Sequence, residues 1–131
     1  MVSVGKRISI STKAIGQVEA TITAENPKTA AAIWSALPLK GSANRWGDEI
    51  YFDVAVKAEE ENSTEEVEVG SVAYWPPGKA LCIFFGATPA SLHGEPRAYS
   101  PVNVFAKVMG DANVFKSVQG NDQLILSRIE Q

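Results

Sequence analysis

The sequence predicts a mainly β protein whose antiparallel strands close into a barrel, with one helix covering an end. Short stretches of alternating apolar and polar residues recur along the chain, and only one stretch has the pattern of a stable helix. Turn signals rich in glycine and proline separate these stretches. We expect a closed barrel because closure removes the exposed strand edges that otherwise pair with other chains.

The first alternating stretch, residues 6–23, predicts two strands joined by a turn. Ile8 and Ile10 lie on one face of the first strand, and Val18, Ala20 and Ile22 share a face in the second. This period of two among β-branched residues is typical of strands with one buried face. The turn between them is expected near residues 14–16.

Residues 26–37 predict the one clear helix. Asn26 is a suitable N-cap, Pro27 fits the first helical position, and the three following alanines favour propagation. Proline at position 38 cannot continue a helix, so we expect the helix to end near residue 37. Its apolar stripe consists of Ala30, Ile33, Trp34 and Leu37.

Strand patterns return in the second half of the chain. Between two of them, Pro76-Pro77-Gly78 predicts a type II turn in which Gly78 adopts a positive φ. Residues 87–101 contain three prolines and are predicted to form a long loop, and residues 111–122 leave room for a second, short helix. The predicted strands lie within residues 46–56, 65–75, 79–86, 102–110 and 123–130.

Length and charge limit the classes of function. The 131 residues correspond to a single domain, residues 1–131, with 45% hydrophobic and 21% charged residues. The net charge is −3 and the basic residues are scattered, which argues against nucleic acid as a partner. No apolar run is long enough to span a membrane, and residues 1–14 lack the apolar core of a secretory signal. We therefore expect a cytoplasmic protein without a membrane partner.

The acidic and sulfur-containing residues predict neither a metal site nor a cofactor. Six glutamates fall within residues 59–68, a run that is typical of a solvated loop or hairpin tip. The alternative, a calcium or magnesium site, requires ligands at alternating positions around a turn, and that spacing is missing. Cys82 is the only cysteine, which excludes an internal disulfide, and its apolar neighbours predict a buried, inert thiol.

Three stretches carry a resemblance to a known family: "WGDEIYF" at 46–52, "GSVAYWPPGKALCIFFGATP" at 70–89 and "PVNVFAKV" at 101–108. Together with "NPKTAAAIWSALPLKGSANR" they resemble the small prokaryotic cyclophilin-like proteins, from residue 6 to the end of the chain. A more distant similarity is to the cyclophilins, which are peptidyl-prolyl isomerases. The resemblance implies a cyclophilin-like barrel of about eight strands with capping helices, and a groove on its outer wall where a peptide could lie.

The resemblance makes Arg45 the candidate catalytic residue. Rotation about an Xaa-Pro bond meets a barrier of about 18–20 kcal/mol, which a guanidinium can lower by hydrogen bonding the prolyl nitrogen. In cyclophilins this arginine follows a "KGSTFH" motif, whereas Arg45 follows "KGSAN", one residue early. The glutamine and paired glycines expected further on are also missing. The resemblance therefore implies weak or absent isomerase activity, and Arg45 pairing with a glutamate at the surface is the alternative.

The candidate ligand-binding residues are aromatic side chains and the only histidine. Each has a structural alternative: a core position, cross-strand packing, bracing of the proline turn, or, for the histidine, ordinary exposure. Successive strand residues face opposite ways, so one of the two adjacent phenylalanines must belong to the core. Glu49 and Asp53 share a strand face and are expected to be solvated. The candidates are Trp46, Tyr51, Tyr74, Phe84, Phe85, His93 and Tyr99.

The sequence thus predicts a module that binds a proline-containing peptide or a small ligand without efficient catalysis. A divergent peptidyl-prolyl isomerase is the first alternative. The second is an assembly module whose apolar rim pairs with another subunit, which would make the protein a homo-oligomer.

Overall fold

A computed structural model describes residues 2–130 of the chain. It contains ten strands, one α-helix and two short 3-10 helices. The 3-10 helices span Pro76–Gly78 and Ala112–Ser117. The other elements are β1 (Arg7–Thr12), β2 (Gly16–Ile22), α1 (Pro27–Ala36), β3 (Leu39–Ser42), β4 (Asn44–Arg45), β5 (Glu49–Asp53), β6 (Thr64–Glu66), β7 (Ser71–Trp75), β8 (Ala80–Phe84), β9 (Arg97–Val108) and β10 (Gln123–Ile129).

The strands form one antiparallel sheet in the order β3-β10-β1-β2-β9-β7-β8-β5-β4, and β6 pairs with β9 beside this path. The predicted mainly β, antiparallel architecture is confirmed, with ten strands in residues 2–130 rather than about eight. Closure into a barrel is not confirmed, because β3 and β4 end the hydrogen-bonded path within the described residues. The backbone of Ala43, the residue between these two strands, pairs instead with Asn121 and Asp122 at 2.8 Å.

The helix α1 begins at Pro27, as predicted, but its first turn is capped differently from the prediction. The Asn26 side chain makes no cap hydrogen bond. Its amide donates to the Val104 carbonyl at 2.7 Å and its oxygen accepts from the Asn62 N–H at 2.6 Å. The predicted role of Asn26 is therefore wrong, because the side chain ties the helix to β9 instead.

Glu61, from the acidic run, caps the helix in its place. Its carboxylate accepts hydrogen bonds from the N–H groups of Lys28 and Thr29, both at 3.1 Å, and from the Thr29 hydroxyl at 2.9 Å. A carboxylate at a helix N-terminus satisfies N–H groups that lack partners within the helix. The prediction that the acidic run is solvated is thus wrong for Glu61, although the other glutamates of the run are exposed.

The two faces of the sheet carry separate apolar clusters. Tyr74, Ile83 and Phe105 belong to the larger cluster, which α1 helps to cover. The smaller cluster lies on the opposite face, as the alternation along β7 and β8 requires. We call it the outer cluster; it consists of Val67, Ala73, Cys82, Phe84, Ala98, Val102 and Val104.

Three local predictions differ from the structure. The predicted type II turn is a 3-10 helix, and Lys79 rather than Gly78 has the positive φ, +49°. The predicted strand over 65–75 is interrupted at Gly70, whose φ is +93°. The predicted long loop ends early because Arg97 already pairs with Glu66 of β6.

Within residues 2–130, no helix combines the length and apolar character needed to cross a membrane.

Candidate ligand-binding site

A cleft of about 200 Å³ lies on the outer face of the sheet, above the outer cluster. Strands β5, β7, β8 and β9 contribute side chains to it, together with the turn that precedes β5. Three of the predicted ligand-binding residues are brought together here: Trp46, Tyr51 and Tyr99. The complete lining is Trp46, Glu49, Tyr51, Trp75, Cys82, Ala98, Tyr99 and Val102.

Three aromatic rings form walls of the cleft. The Trp46 and Tyr99 ring centroids are 6.2 Å apart with an interplanar angle of 77°. Trp75 and Tyr99 are also 6.2 Å apart, at 85°. Such edge-to-face pairs are favourable for aromatic side chains. Tyr99 nevertheless remains 75% exposed, so it forms an outer wall of the cleft rather than part of the core.

Trp75 is fixed by contacts on both sides of its indole. Its Nε1–H donates to the Ser100 hydroxyl at 2.6 Å. On the other side lies Gly78, where a Cβ would overlap the ring. The tryptophan therefore has a defined orientation before any ligand arrives.

The turn between β4 and β5 brings Trp46 and Glu49 together. The N–H of each donates to the carbonyl of the other, at 2.9 and 3.2 Å, across the intervening residues Gly47 and Asp48. Gly47 has φ of +62° and packs closely on Pro89, whose Cδ would be 2.9 Å from a Cβ. This exchange places an indole and a carboxyl group in the same cleft.

Glu49 is a buried acid in the cleft, only 5% exposed. Burial raises the pKa of its carboxyl to about 7, although a hydrogen bond with the Cys82 thiol opposes this increase. The expectation that Glu49 is solvated is therefore wrong, because little of this residue is exposed. Asp53, at the end of the same strand, is exposed as expected.

Cys82 lies opposite Tyr51 in the ladder between β5 and β8. It is 3% exposed, which confirms the predicted burial. Burial, and secondarily the neighbouring Glu49 carboxylate, raise the pKa of the thiol well above its usual value. The thiol therefore stays protonated at neutral pH and is a weak nucleophile.

Arg45, the candidate catalytic residue, does not line the cleft. Its guanidinium donates to the carbonyls of Gly47 at 2.6 Å and Val118 at 2.8 Å, and to the Asp48 carboxylate at 3.0 Å. It also lies over the Phe85 ring, 4.9 Å from the centroid. The acidic partner of Arg45 is thus Asp48, whereas the alternative interpretation expected a glutamate. The hydrogen bonds from Arg45 to Gly47 and Asp48 stabilise the turn between β4 and β5.

The remaining candidates also lie outside the cleft lining. Tyr74 is fully buried in the larger cluster, where its hydroxyl donates to the Val56 carbonyl at 2.6 Å. Phe85 is in the same cluster, and Phe84 belongs to the outer cluster beneath the cleft. His93 is exposed in the loop before β9, and its N–H donates to the Glu95 carboxylate at 2.7 Å.

Trp75, which follows Tyr74 before the proline turn, was not among the candidate residues selected from the sequence. The alternation of side chains along β7 could have identified Trp75. Adjacent strand residues face opposite sides of the sheet, so Tyr74 and Trp75 could not both belong to the larger cluster. The same alternation puts Glu49 on the face of Tyr51. No three histidine, cysteine, aspartate or glutamate side chains in residues 2–130 are arranged to hold a metal ion.

Comparison with known proteins identifies the family. The sequence model of a family described as Cyclophilin-like matches residues 6–127. A hypothetical protein from Archaeoglobus fulgidus, known from a solution structure, is 42% identical, with a TM-score of 0.82 and 98% of each chain covered. No curated protein matches the sequence significantly. The match over most of the chain and the likeness to this solved structure lead to one conclusion: the chain belongs to the cyclophilin-like family.

Proposed function

We propose that the protein binds a small ligand or a short peptide segment in the cleft, without efficient catalysis. The observation that supports this proposal is the set of aromatic walls around about 200 Å³ of largely apolar space. A cavity of about 150 Å³ can hold a benzene molecule, so the cleft has room for one ring, such as a prolyl ring, or one compact head group.

The exposure of the aromatic residues favours binding over a purely structural role. Tyr99 is 75% exposed although its ring contacts two tryptophans. Trp46 and Trp75 are only partly buried. Large rings with a polar tip at the edge of a cleft are typical of sites that exchange water for a ligand.

The position of Arg45 argues for binding without efficient isomerisation. A catalytic guanidinium must reach the prolyl nitrogen of the substrate, whereas Arg45 is outside the cleft and donates to three backbone carbonyls and the Asp48 carboxylate. To reach a peptide in the cleft, the Arg45 side chain would have to break these hydrogen bonds. The divergent isomerase is therefore the weaker candidate.

Nitrogen-15 NMR with the peptide Ala-Ala-Pro-Phe tests this proposal. The chain has three tryptophans, and their indole N–H signals are separate probes: Trp46 and Trp75 line the cleft, whereas Trp34 lies on α1. We expect the peptide to shift the indole signals of Trp46 and Trp75 and to leave the signal of Trp34 unchanged. We also expect no exchange peaks between the cis and trans forms of the peptide. Exchange peaks at substoichiometric protein would establish isomerase activity instead.

The same titration is repeated with indole as a small apolar ligand. If neither compound shifts the Trp46 and Trp75 signals, the proposed binding function is wrong. Sedimentation at increasing protein concentration tests the assembly alternative, for which the mass in solution would rise with concentration. Homo-oligomerisation remains a prediction.

A further inference from the structure

The Glu49 carboxyl is a buried acid without a cationic partner among residues 2–130. It forms no ion pair there, and the lining of the cleft contains no lysine, arginine or histidine. Its side-chain partner is the thiol of Cys82, a weak donor. Buried ionisable groups in proteins are usually paired, because an isolated charge in an apolar environment is very unfavourable. The missing partner points to a ligand that brings a positive charge.

The walls of the cleft suit such a ligand. Trp46 and Trp75 each make an edge-to-face pair with Tyr99, and all three rings line the same cleft. A cation within about 6 Å of a ring centroid is attracted by the negative π face, and tryptophan attracts it most strongly. The cleft therefore combines aromatic rings with one acid, and each attracts a cation.

We propose that the cleft binds the quaternary ammonium head group of a small molecule, with Trp46, Trp75 and Tyr99 around its methyl groups and the Glu49 carboxylate as its counterion. The inference rests on the proposed function, since it names the chemical class of ligand for the same cleft.

A quaternary ammonium group fits the donors and acceptors of the cleft better than other cations do. A primary ammonium ion has three N–H groups that need acceptors, whereas most of the lining is apolar. A metal ion needs several acidic or imidazole ligands, and no such group occurs in residues 2–130. The volume of about 200 Å³ lies below the usual range for drug-sized ligands, about 300–1,000 Å³, so it suits a compact head group.

The charge state of Glu49 makes binding dependent on pH. Burial raises the pKa of this carboxyl to about 7, so ligand-free protein at neutral pH is a mixture of acid and carboxylate. The other titratable side chains that face the cleft are Tyr51 from β5, Cys82 from β8 and Tyr99 from β9. Burial raises the pKa of the Cys82 thiol well above its usual value, so this thiol does not titrate near pH 7. If only the carboxylate binds the cation, affinity falls about tenfold between pH 8 and pH 6.

Choline and 3,3-dimethyl-1-butanol are the probes for this inference, because they have nearly the same shape and only choline is charged. Their dissociation constants are measured at pH 8 from the indole N–H signals of Trp46 and Trp75. We expect choline to bind at least tenfold more tightly than the neutral alcohol, and about tenfold less tightly at pH 6. Equal affinity for both compounds would overturn the inference and leave the proposed binding function intact. If neither compound binds but Ala-Ala-Pro-Phe does, the inference also fails while the proposed function stands.

Variants separate the acid from the aromatic walls. Glu49→Gln should lower choline affinity at least tenfold at pH 8, remove its pH dependence and leave the neutral alcohol unaffected. Asp53→Asn is the matched control, because Asp53 is exposed on the same strand and does not line the cleft. Tyr99→Leu tests a wall at an exposed position, and should weaken choline more than the alcohol. Unchanged choline binding in both Glu49→Gln and Tyr99→Leu would overturn the inference.

A short peptide containing trimethyl-lysine is the last arm of the experiment. It carries the same head group on a polypeptide. Binding at least tenfold tighter than choline would overturn the assignment to a small molecule, whereas similar or weaker binding would support it.

Discussion

The indole of Trp75 lies so close to Gly78 that a Cβ atom at residue 78 would overlap two carbon atoms of the ring. Gly78 belongs to the 3-10 helix Pro76–Gly78, which follows Trp75 directly. The Ser100 hydroxyl accepts a hydrogen bond from the indole N–H of Trp75. A wall of the cleft is therefore positioned by the turn that follows β7. The glycine is required here for space and not for a positive φ.

We expect Gly78→Ala to lower the free energy of unfolding by about 1–3 kcal/mol, the usual cost of overpacking. The added methyl group must displace the Trp75 ring, so the Trp75 indole N–H signal should shift as well. Urea unfolding and NMR measure the two effects. Gly120→Ala is the control, since a Cβ there meets no atom within 4 Å. Equal stability of the two variants would contradict the close contact.

Arg45→Ala should destabilise the fold by about 1–3 kcal/mol, because three backbone carbonyls and a carboxylate lose a charged donor. We expect Arg45→Lys to recover only part of this loss, since lysine lacks the planar arrangement of donors. Arg7→Ala is the control: Arg7 forms a partly exposed ion pair with Glu19, worth at most about 1 kcal/mol. Urea unfolding of the three variants measures the differences. An Arg45→Ala variant as stable as wild type that loses peptide binding would restore the interpretation of Arg45 as a site residue.

Local signals in the sequence predicted much of the fold. Proline at position 27 and the following alanines predicted the start of α1, and alternation predicted β1, β2 and β5. These features depend on residues that are neighbours in the chain. Which residue caps the helix could not be predicted in this way, because Glu61 is more than thirty residues from the N–H groups that it binds.

The candidate site was predictable only in part for the same reason. Trp46, Tyr51 and Tyr99 were selected from the sequence as candidate ligand-binding residues, and they line the cleft. Glu49 is buried where it pairs with β8 and contacts the Cys82 thiol, contacts between strands that the local pattern does not contain. Arg45 was selected from the family resemblance and its place between a loop and a strand, whereas its hydrogen bonds to Lys116 and Val118 depend on contacts between distant segments.

We expect Glu61→Gln to lower the free energy of unfolding by about 1 kcal/mol at pH 7, the usual cost of losing a helix cap. Burial is the largest single influence and raises the pKa of Glu61, but the hydrogen bonds from Lys28 and Thr29 and the charge of Lys28 together lower it more, so the pKa lies below its usual value of 4.5. The carboxylate therefore stabilises the fold above pH 4.5, and this contribution is lost as the pH falls through the folded-state pKa. Urea unfolding between pH 3 and pH 7 measures the effect, with exposed Glu60→Gln as the control. A difference between Glu61→Gln and wild type that does not shrink in acid would contradict this assignment.

The buried Glu49 carboxyl should make the fold less stable as the pH rises from 4.5 to about 7. Its pKa is raised from 4.5 to about 7 by burial, so in this interval the folded protein keeps a proton that the unfolded chain has lost. Stability falls with pH wherever the folded state binds more protons. At about 1.4 kcal/mol per pH unit, the interval corresponds to a loss of about 3 kcal/mol, complete just above pH 7.

Comparison of wild type with Glu49→Gln isolates this effect, because glutamine has nearly the same shape and does not titrate. Urea unfolding at half-unit steps from pH 4.5 to pH 8.5 should show that the variant gains about 3 kcal/mol relative to wild type across the range. Asp53→Asn should follow wild type, since Asp53 is exposed. Glu61 and Glu95 have lowered pKa values and so act below this interval. Parallel stability curves for wild type and Glu49→Gln would mean that water reaches the carboxyl freely, and the cleft would then lack the buried acid on which recognition of a cation depends.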